Sequence, residues 1–311
     1  MKRIFKTVDD HLTECTTLEK GSWVHLQNPT KEEIDGLTTR FALDPTFIPA
    51  ALDVEESARL EVDGTQTLIL VDTPYTEMEG SGYIYSTIPV GIVLADDVII
   101  TVTTQETAII TDFTEERVRG FSTANRGRFI LQLLNRNANL FLNYLKQVDK
   151  ASMHVQAQLE KSMKNRELFQ MLKLEKSLVF FSTSLRGNEG VLERMLRLEM
   201  LRRDSDLGDL LEDVIIENKQ AMEMCTIYRD ILSGTMDAFA SIISNNLNIV
   251  MKVLTSLTVV MAIPTIFSSF WGMNVSWLPF ANHPMGFWIV VLLATVSAVL
   301  AFVFLWRKKM F

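Results

Sequence analysis

Hydrophobic patterning divides the chain before any motif is read. Val253 to Trp271 and Gly286 to Trp306 are runs of 19 and 21 residues without a charged side chain. A helix needs about 20 apolar residues to cross ~30 Å of hydrocarbon, so both predict transmembrane helices. Upstream the pattern shortens to strand length. Ile4–Lys6, Ser22–Leu26, Arg59–Val62, Thr67–Asp72, Ile84–Leu94 and Asp97–Thr103 are rich in Val, Ile and Thr, with Gly and Asp between them, and predict strands. Thr30-Lys31-Glu32-Glu33 has capping-box spacing for a helix to about Arg40, and Asp44-Pro45 opens a short one. Glu79-Gly80-Ser81-Gly82 predicts a flexible turn.

From about Thr114 the period becomes helical, with helices expected near 114–149, 151–186 and 189–204 and breaks at Arg186-Gly187-Asn188 and Leu207-Gly208. No proline follows Gly208 until Pro264, so 209–271 can be one helix of about 95 Å, with Gly234 its weak point. Glu223, Asp230 and Asp237 share one face of it, most simply a solvated one. The expected organisation is an α/β domain over 1–120, a helical region over 121–208, a stalk over 209–252, spans over 253–271 and 286–306 joined by an outer loop over 272–285, and a basic tail over 307–311.

The first span is two-faced. At 100° per residue, Asn248, Met251, Thr255, Thr258, Ala262, Thr265, Ser269 and Gly272 fall within an arc of about 120°. Val253, Leu257, Val260, Pro264, Phe267 and Trp271 lie opposite. A small, hydroxylated face suits tight helix packing in a membrane or the wall of a wet conduit; the stripe alone leaves both open.

Charge refines the picture. The formal net charge is -8, yet residues 253–311 contain no Asp or Glu. Residues 1–149 carry net -10, 150–205 net +4, 206–251 net -6, and the remainder net +4. This excludes a uniformly soluble protein, and the acidic bulk argues against a nucleic-acid partner. Lys252 precedes the first span, Arg307, Lys308 and Lys309 follow the second, and the loop between has no Lys or Arg, which predicts both termini in the cytoplasm. The N-terminal segment lacks the apolar core of a signal peptide. Cys15 and Cys225 match no metal or redox spacing and are expected as reduced thiols.

No Walker A loop, dinucleotide fingerprint or zinc-ligand spacing occurs, His11, His25, His154 and His283 are scattered, and no serine has nucleophile-elbow context, so neither an enzyme nor an organic cofactor is expected. Phe270-Trp271-Gly272-Met273-Asn274 closes the first span. With Val250-Met251-Lys252-Val253-Leu254-Thr255, the long helix and the basic C-terminus, this segment resembles the CorA-type magnesium transporters. The resemblance is clear in detail over 228–274; Trp271 stands where the family commonly has Tyr.

The resemblance implies an α+β cytoplasmic domain (an α/β/α sandwich), a long stalk helix and two C-terminal transmembrane helices, assembled as a funnel-shaped homopentamer in the cell membrane. Gly272, Met273 and Asn274 would form the selectivity filter. The first span would line the pore with Asn248 as a polar ring, Met251 and Leu254 as a hydrophobic constriction, and Thr255, Thr258, Ala262, Thr265 and Ser269 as the wetted wall. Mg²⁺ gives up its water reluctantly, so neutral amide and carbonyl oxygens in a ring can hold the hydrated ion without stripping it. Regulation would come from cytosolic divalent ions bridging acids of neighbouring subunits; Asp213 falls on one such acid, with Glu77, Glu79 or Asp72 as candidate partners. The expected cargo is Mg²⁺, with Co²⁺ or Ni²⁺ possible, and Mg²⁺ also as regulator. Competing readings are a zinc transporter of the same architecture and a membrane-anchored coiled-coil scaffold or sensor without flux. The outer loop 275–285 carries no carboxylate and 150–205 is net basic, both departures from an acidic ion-concentrating surface.

Overall fold

The computed structural model describes residues 1–79, 82–162, 165–198, 204–275, 278–280, 283–308 and 310. Gly80 and Ser81 of the expected turn, the segment 199–203 of the expected third helix, and Lys309 lie outside the described residues. The chain forms two compact units, Met1–Gly234 and Thr235–Phe311.

In the first unit, strands β1 (Lys2–Val8), β2 (His11–Glu14), β3 (Trp23–Gln27), β4 (Arg59–Asp63), β5 (Gln66–Glu79), β6 (Gly82–Ala95) and β7 (Val98–Thr103) form one sheet of order β2-β1-β3-β7-β6-β5-β4. Only the β3–β7 pair is parallel. All six residues of β7 are buried, as a strand covered on both faces requires. Helices α1 (Lys31–Phe41) and α2 (Phe47–Ala50) contribute Leu37, Phe47 and Ile48 to a core with Val24, Leu26 and Val102. Helices α3 (Ala108–Thr114), α4 (Arg126–Ser162), α5 (Asn165–Met195) and the start of α6 (Ser205–Trp271) cover the other face with Phe113, Phe129, Val191 and Leu211. This is the expected sandwich. The capping box is present: Glu33 N–H donates to Thr30 Oγ1 at 3.3 Å and Thr30 N–H donates to Glu33 Oε2 at 3.0 Å.

The helical region differs from expectation. The helix expected from 114 instead begins at Arg126, because Glu116 and Gly120 take left-handed φ values of 54° and 70° between α3 and α4. The expected break near 150 lies inside α4. Arg186-Gly187-Asn188 does not break α5. Gly187 comes so close to the residue before β4 that a Cβ would stand 3.2 Å from Ala58 Cβ. Asn188 accepts from Asp72 N–H at 2.9 Å and donates to Asp72 O at 2.9 Å, and Asn137 donates to the same oxygen at 2.7 Å. β5 extends beyond its pairing with β4 at this point, so two asparagines satisfy backbone groups that the ladder leaves open. Leu207-Gly208 likewise sits within the first turn of α6, which then runs unbroken through Gly234 and Pro264.

The second unit contains the apolar length of α6 and helix α7 (Gly286–Arg307). Both are long and apolar enough to cross a membrane. Their large side chains are bare: Leu257 is 51% exposed, Leu292 64% and Leu300 65%.

Candidate functional site

Between Val253 and Trp271, the residues of α6 that lose exposure are Ser256, Val260, Ile263, Pro264, Phe267 and Trp271. Their spacing places them in an arc of about 100°. Contacts at both ends identify the cover. Ser256 Oγ donates to the carbonyl oxygen of Met310, just past α7, at 3.2 Å. The Trp271 ring lies 6.5 Å from Phe287 in the first turn of α7. The second span therefore packs on this arc.

The polar stripe is centred about 170° away from it. Asn248, Met251, Leu254, Thr255, Thr258, Ala262, Thr265 and Ser269 are all exposed. Within the chain, tight packing on α7 is thus not what the small and hydroxyl residues serve. Thr255, Thr258 and Thr265 donate to the carbonyls of Met251, Leu254 and Met261 at 2.7, 2.8 and 3.1 Å. Each hydroxyl proton is occupied within the helix, while the oxygen keeps lone-pair capacity. Such a surface accepts hydrogen bonds from the water shell of a cation and carries no charge that would trap it. Met251 and Leu254 interrupt it with bulk at one end, 51% and 54% exposed.

At the other end, Gly272 N–H donates to Ser268 O at 2.9 Å and closes the helix. A Cβ at Gly272 would come within 3.2 Å of the same oxygen, a tight contact that glycine avoids. Met273 and Asn274 follow outside the helix, and all three are exposed. Pro279, in the connection to α7, returns to this end. Trp271 Nε1 donates to Pro279 O at 3.1 Å. Phe280 has φ +60°, and a Cβ at Gly286 would overlap its carbonyl oxygen. Met285 N–H donates to His283 Nδ1 at 3.1 Å, which gives that histidine a loop-forming role.

The acids expected to regulate are in the first unit. Asp213 on α6 and Glu77 on β5 are both exposed. Among the described residues, no group of three or more His, Cys, Asp or Glu is placed to hold a metal ion. A bridge between subunits needs one acid from each, an arrangement a single chain does not contain. Asp72, the alternative partner, is built into the sandwich instead: burial raises its carboxyl pKa, opposed by a hydrogen bond from Ser184. A cavity of about 320 Å³ lined by Val118, Gln132, Asn135, Arg136, Asn139 and Leu210 belongs to this unit, one turn of α6 before Asp213.

Sequence reasoning placed the stripe and missed Ser256. A serine inside an apolar run gives no sign of its partner, and only the side of the helix opposite the stripe hinted that Ser256 belongs to a packed face.

A model of the CorA-like Mg²⁺ transporter protein family matches residues 19–309. The cobalt/magnesium transport protein CorA of Methanocaldococcus jannaschii is 26% identical over 291 residues, 92% of this chain and 90% of that protein. The Thermotoga maritima protein of the same name is 33% identical over 97 residues, 31% of this chain and 28% of its own. The complete structure of the Methanocaldococcus jannaschii CorA magnesium transporter superposes with a TM-score of 0.85 at 24% identity, covering 99% of this chain and 98% of that one.

Proposed function

The chain belongs to the CorA-like Mg²⁺ transporter family, and from that premise we propose that it passes Mg²⁺ through a pore enclosed by the first spans of several copies. The observation that carries this reading is the placement of the polar stripe opposite the arc covered by α7. One helix cannot surround water, whereas a ring of copies turning this face inward can. The count of five comes from the family resemblance. Relatives named for cobalt and magnesium transport support the cargo.

In this reading the subunits contribute rings of oxygen and rings of bulk in sequence. Gly272 and Asn274 present backbone and amide oxygens at the outer mouth, where the tight helix end leaves room for a hydrated ion. Thr258, Thr265 and Ser269 supply acceptor oxygens along the wall. Leu254 and Met251 narrow the inner end and close it by excluding water. Asn248 forms the last polar ring. Both termini are cytoplasmic, and at about 100 mV, inside negative, a divalent ion gains roughly 4.6 kcal/mol on entry, so no ATP hydrolysis is needed. Asp213 and Glu77 of adjacent subunits bridge a regulatory divalent ion. The ion offsets their mutual repulsion in the closed assembly, and its loss releases it.

Purified protein in liposomes holding a Mg²⁺-sensitive dye tests this. Uptake is expected when the interior is made negative. Asn274→Ala should greatly lower the rate, since it removes a whole ring of filter oxygens. Asp213→Ala should weaken inhibition by internal Mg²⁺. Absence of uptake by correctly inserted protein favours a scaffold without flux, and stronger uptake of Zn²⁺ than of Mg²⁺ in competition favours a zinc transporter.

A further inference from the structure

Five of the eight hydroxyls in the two spans follow one habit. Thr255, Thr258, Thr265 and Ser268 on α6, and Thr295 on α7, each donate to the carbonyl four residues earlier in their own helix, at 2.7 to 3.1 Å. Ser256 donates instead to Met310 O at 3.2 Å, across 54 residues of sequence. It is fully buried, at 0% exposure, although Thr255 and Leu257 beside it are exposed. Met310 is half-buried, and its own N–H turns back to Leu305 O at 3.2 Å, which holds the carbonyl in place after α7 ends.

The location matters as much as the bond. Ser256 stands two residues beyond Leu254 and five beyond Met251, the inner end of the stripe. By helix geometry it points about 140° from Met251 and about 160° from Leu254. The tail therefore grips the back of α6 at the level where its front carries the two bulky side chains. A contact placed there moves the front without entering any lumen.

We propose that Ser256 is a positioning residue: by hydrogen-bonding the Met310 carbonyl it latches the C-terminal tail to the inner end of the first span and holds Met251 and Leu254 in their narrow arrangement. This rests on the pore reading above. The bond is made by a backbone carbonyl, so the side chain at 310 is free to vary, whereas a hydroxyl at 256 is required. Releasing it leaves a buried hydroxyl-sized gap and an unpaired carbonyl, and the tail loses its fixed point on α6.

The test has a readout that does not depend on flux. A nitroxide is attached at Met310→Cys in the full chain carrying Cys15→Ser. Cys225 stays unlabelled because it is buried and its thiol is pushed up to about 11. In liposomes the label should be immobilised with Ser256 present, should gain a mobile spectral component in Ser256→Ala, and should be immobilised again in Ser256→Thr, which keeps the hydroxyl. In parallel, the internal Mg²⁺ concentration for half-maximal closure should rise about threefold in Ser256→Ala and stay near the parent value in Ser256→Thr. Threefold is the factor that an interhelical hydrogen bond of about 0.6 kcal/mol supplies. If Ser256→Ala does not insert, a chain ending at Lys309 removes the acceptor with Ser256 intact and should give the same threefold change. A label equally mobile in parent and Ser256→Ala, or an unchanged closure curve in both the Ala variant and the shortened chain, overturns the proposal. Parent liposomes that pass no ion remove the pore reading, and the spectra still decide whether the latch exists.

Discussion

Trp23, Phe113 and Phe129 in the first unit are at 0% exposure, whereas Trp288, Leu292 and Leu300 in α7 are at 65, 64 and 65%. Side chains of equal hydrophobicity thus meet opposite fates in one chain. The first unit completes its own environment: the sheet is covered on both faces, and the strand groups left open at Asp72 are taken up by Asn137 and Asn188. The second unit satisfies its backbone in two helices but covers only one arc of α6. In the proposed pore the rest of its surface takes lipid on the apolar sides and other copies on the polar stripe. The proposed pore lies in the unit that is incomplete alone.

The comparison can be broken by one truncation in each unit. Phe129→Ala removes a ring packed against Trp23, Phe113 and Phe121 and should cost about 3–5 kcal/mol. Val299→Ala removes exposed bulk in α7 and should cost under about 0.5 kcal/mol. Hydrogen exchange in detergent on the full chain reads both, at β3 and β7 amides for the first and at α7 amides for the second. Equal costs would contradict the division.

A smaller effect sharpens it. His25 lies in the sheet between β1 and β7, with Nδ1 3.0 Å from Thr101 Oγ1. Burial, aided by the Arg3 cation, lowers its pKa to about 4. The folded state keeps the ring neutral while the unfolded chain takes up a proton below about pH 6.5. Stability is therefore fully present above pH 6.5 and is lost as pH falls toward 4, by about 3 kcal/mol in all. Protection of the β3 and β7 amides, corrected for the intrinsic pH dependence of exchange, should fall between pH 7 and 5, and His25→Gln should remove that slope. The α7 amides should show no slope from this source.

Much of this architecture could be read from the sequence because its causes are local. The capping box at Thr30, the β-branched strands and the two uncharged runs each act within a few residues. What escaped reading depended on partners distant in sequence. Strand β2 was missed, although Asp9 and Asp10, both at positive φ (49° and 64°), mark a two-residue hairpin turn that Asp tolerates. Gly187-Asn188 reads as a helix stop by propensity, yet serves as a close approach and a bidentate clamp to Asp72. The polar stripe was legible because a 3.6-residue period is a property of one helix. The covered arc, and Ser256 within it, were not, since they are defined by where α7 lies.

A pore requires that one side of α6, the polar stripe, meets water. Single cysteines placed along the first span of the full chain in liposomes, in a Cys15→Ser background, can be challenged with a membrane-impermeant thiol reagent. The account predicts reaction at Thr258→Cys, Thr265→Cys and Ser269→Cys and none at Leu257→Cys, Val260→Cys and Phe267→Cys. Uniform protection of all six, or reaction on the arc that α7 covers, would contradict it.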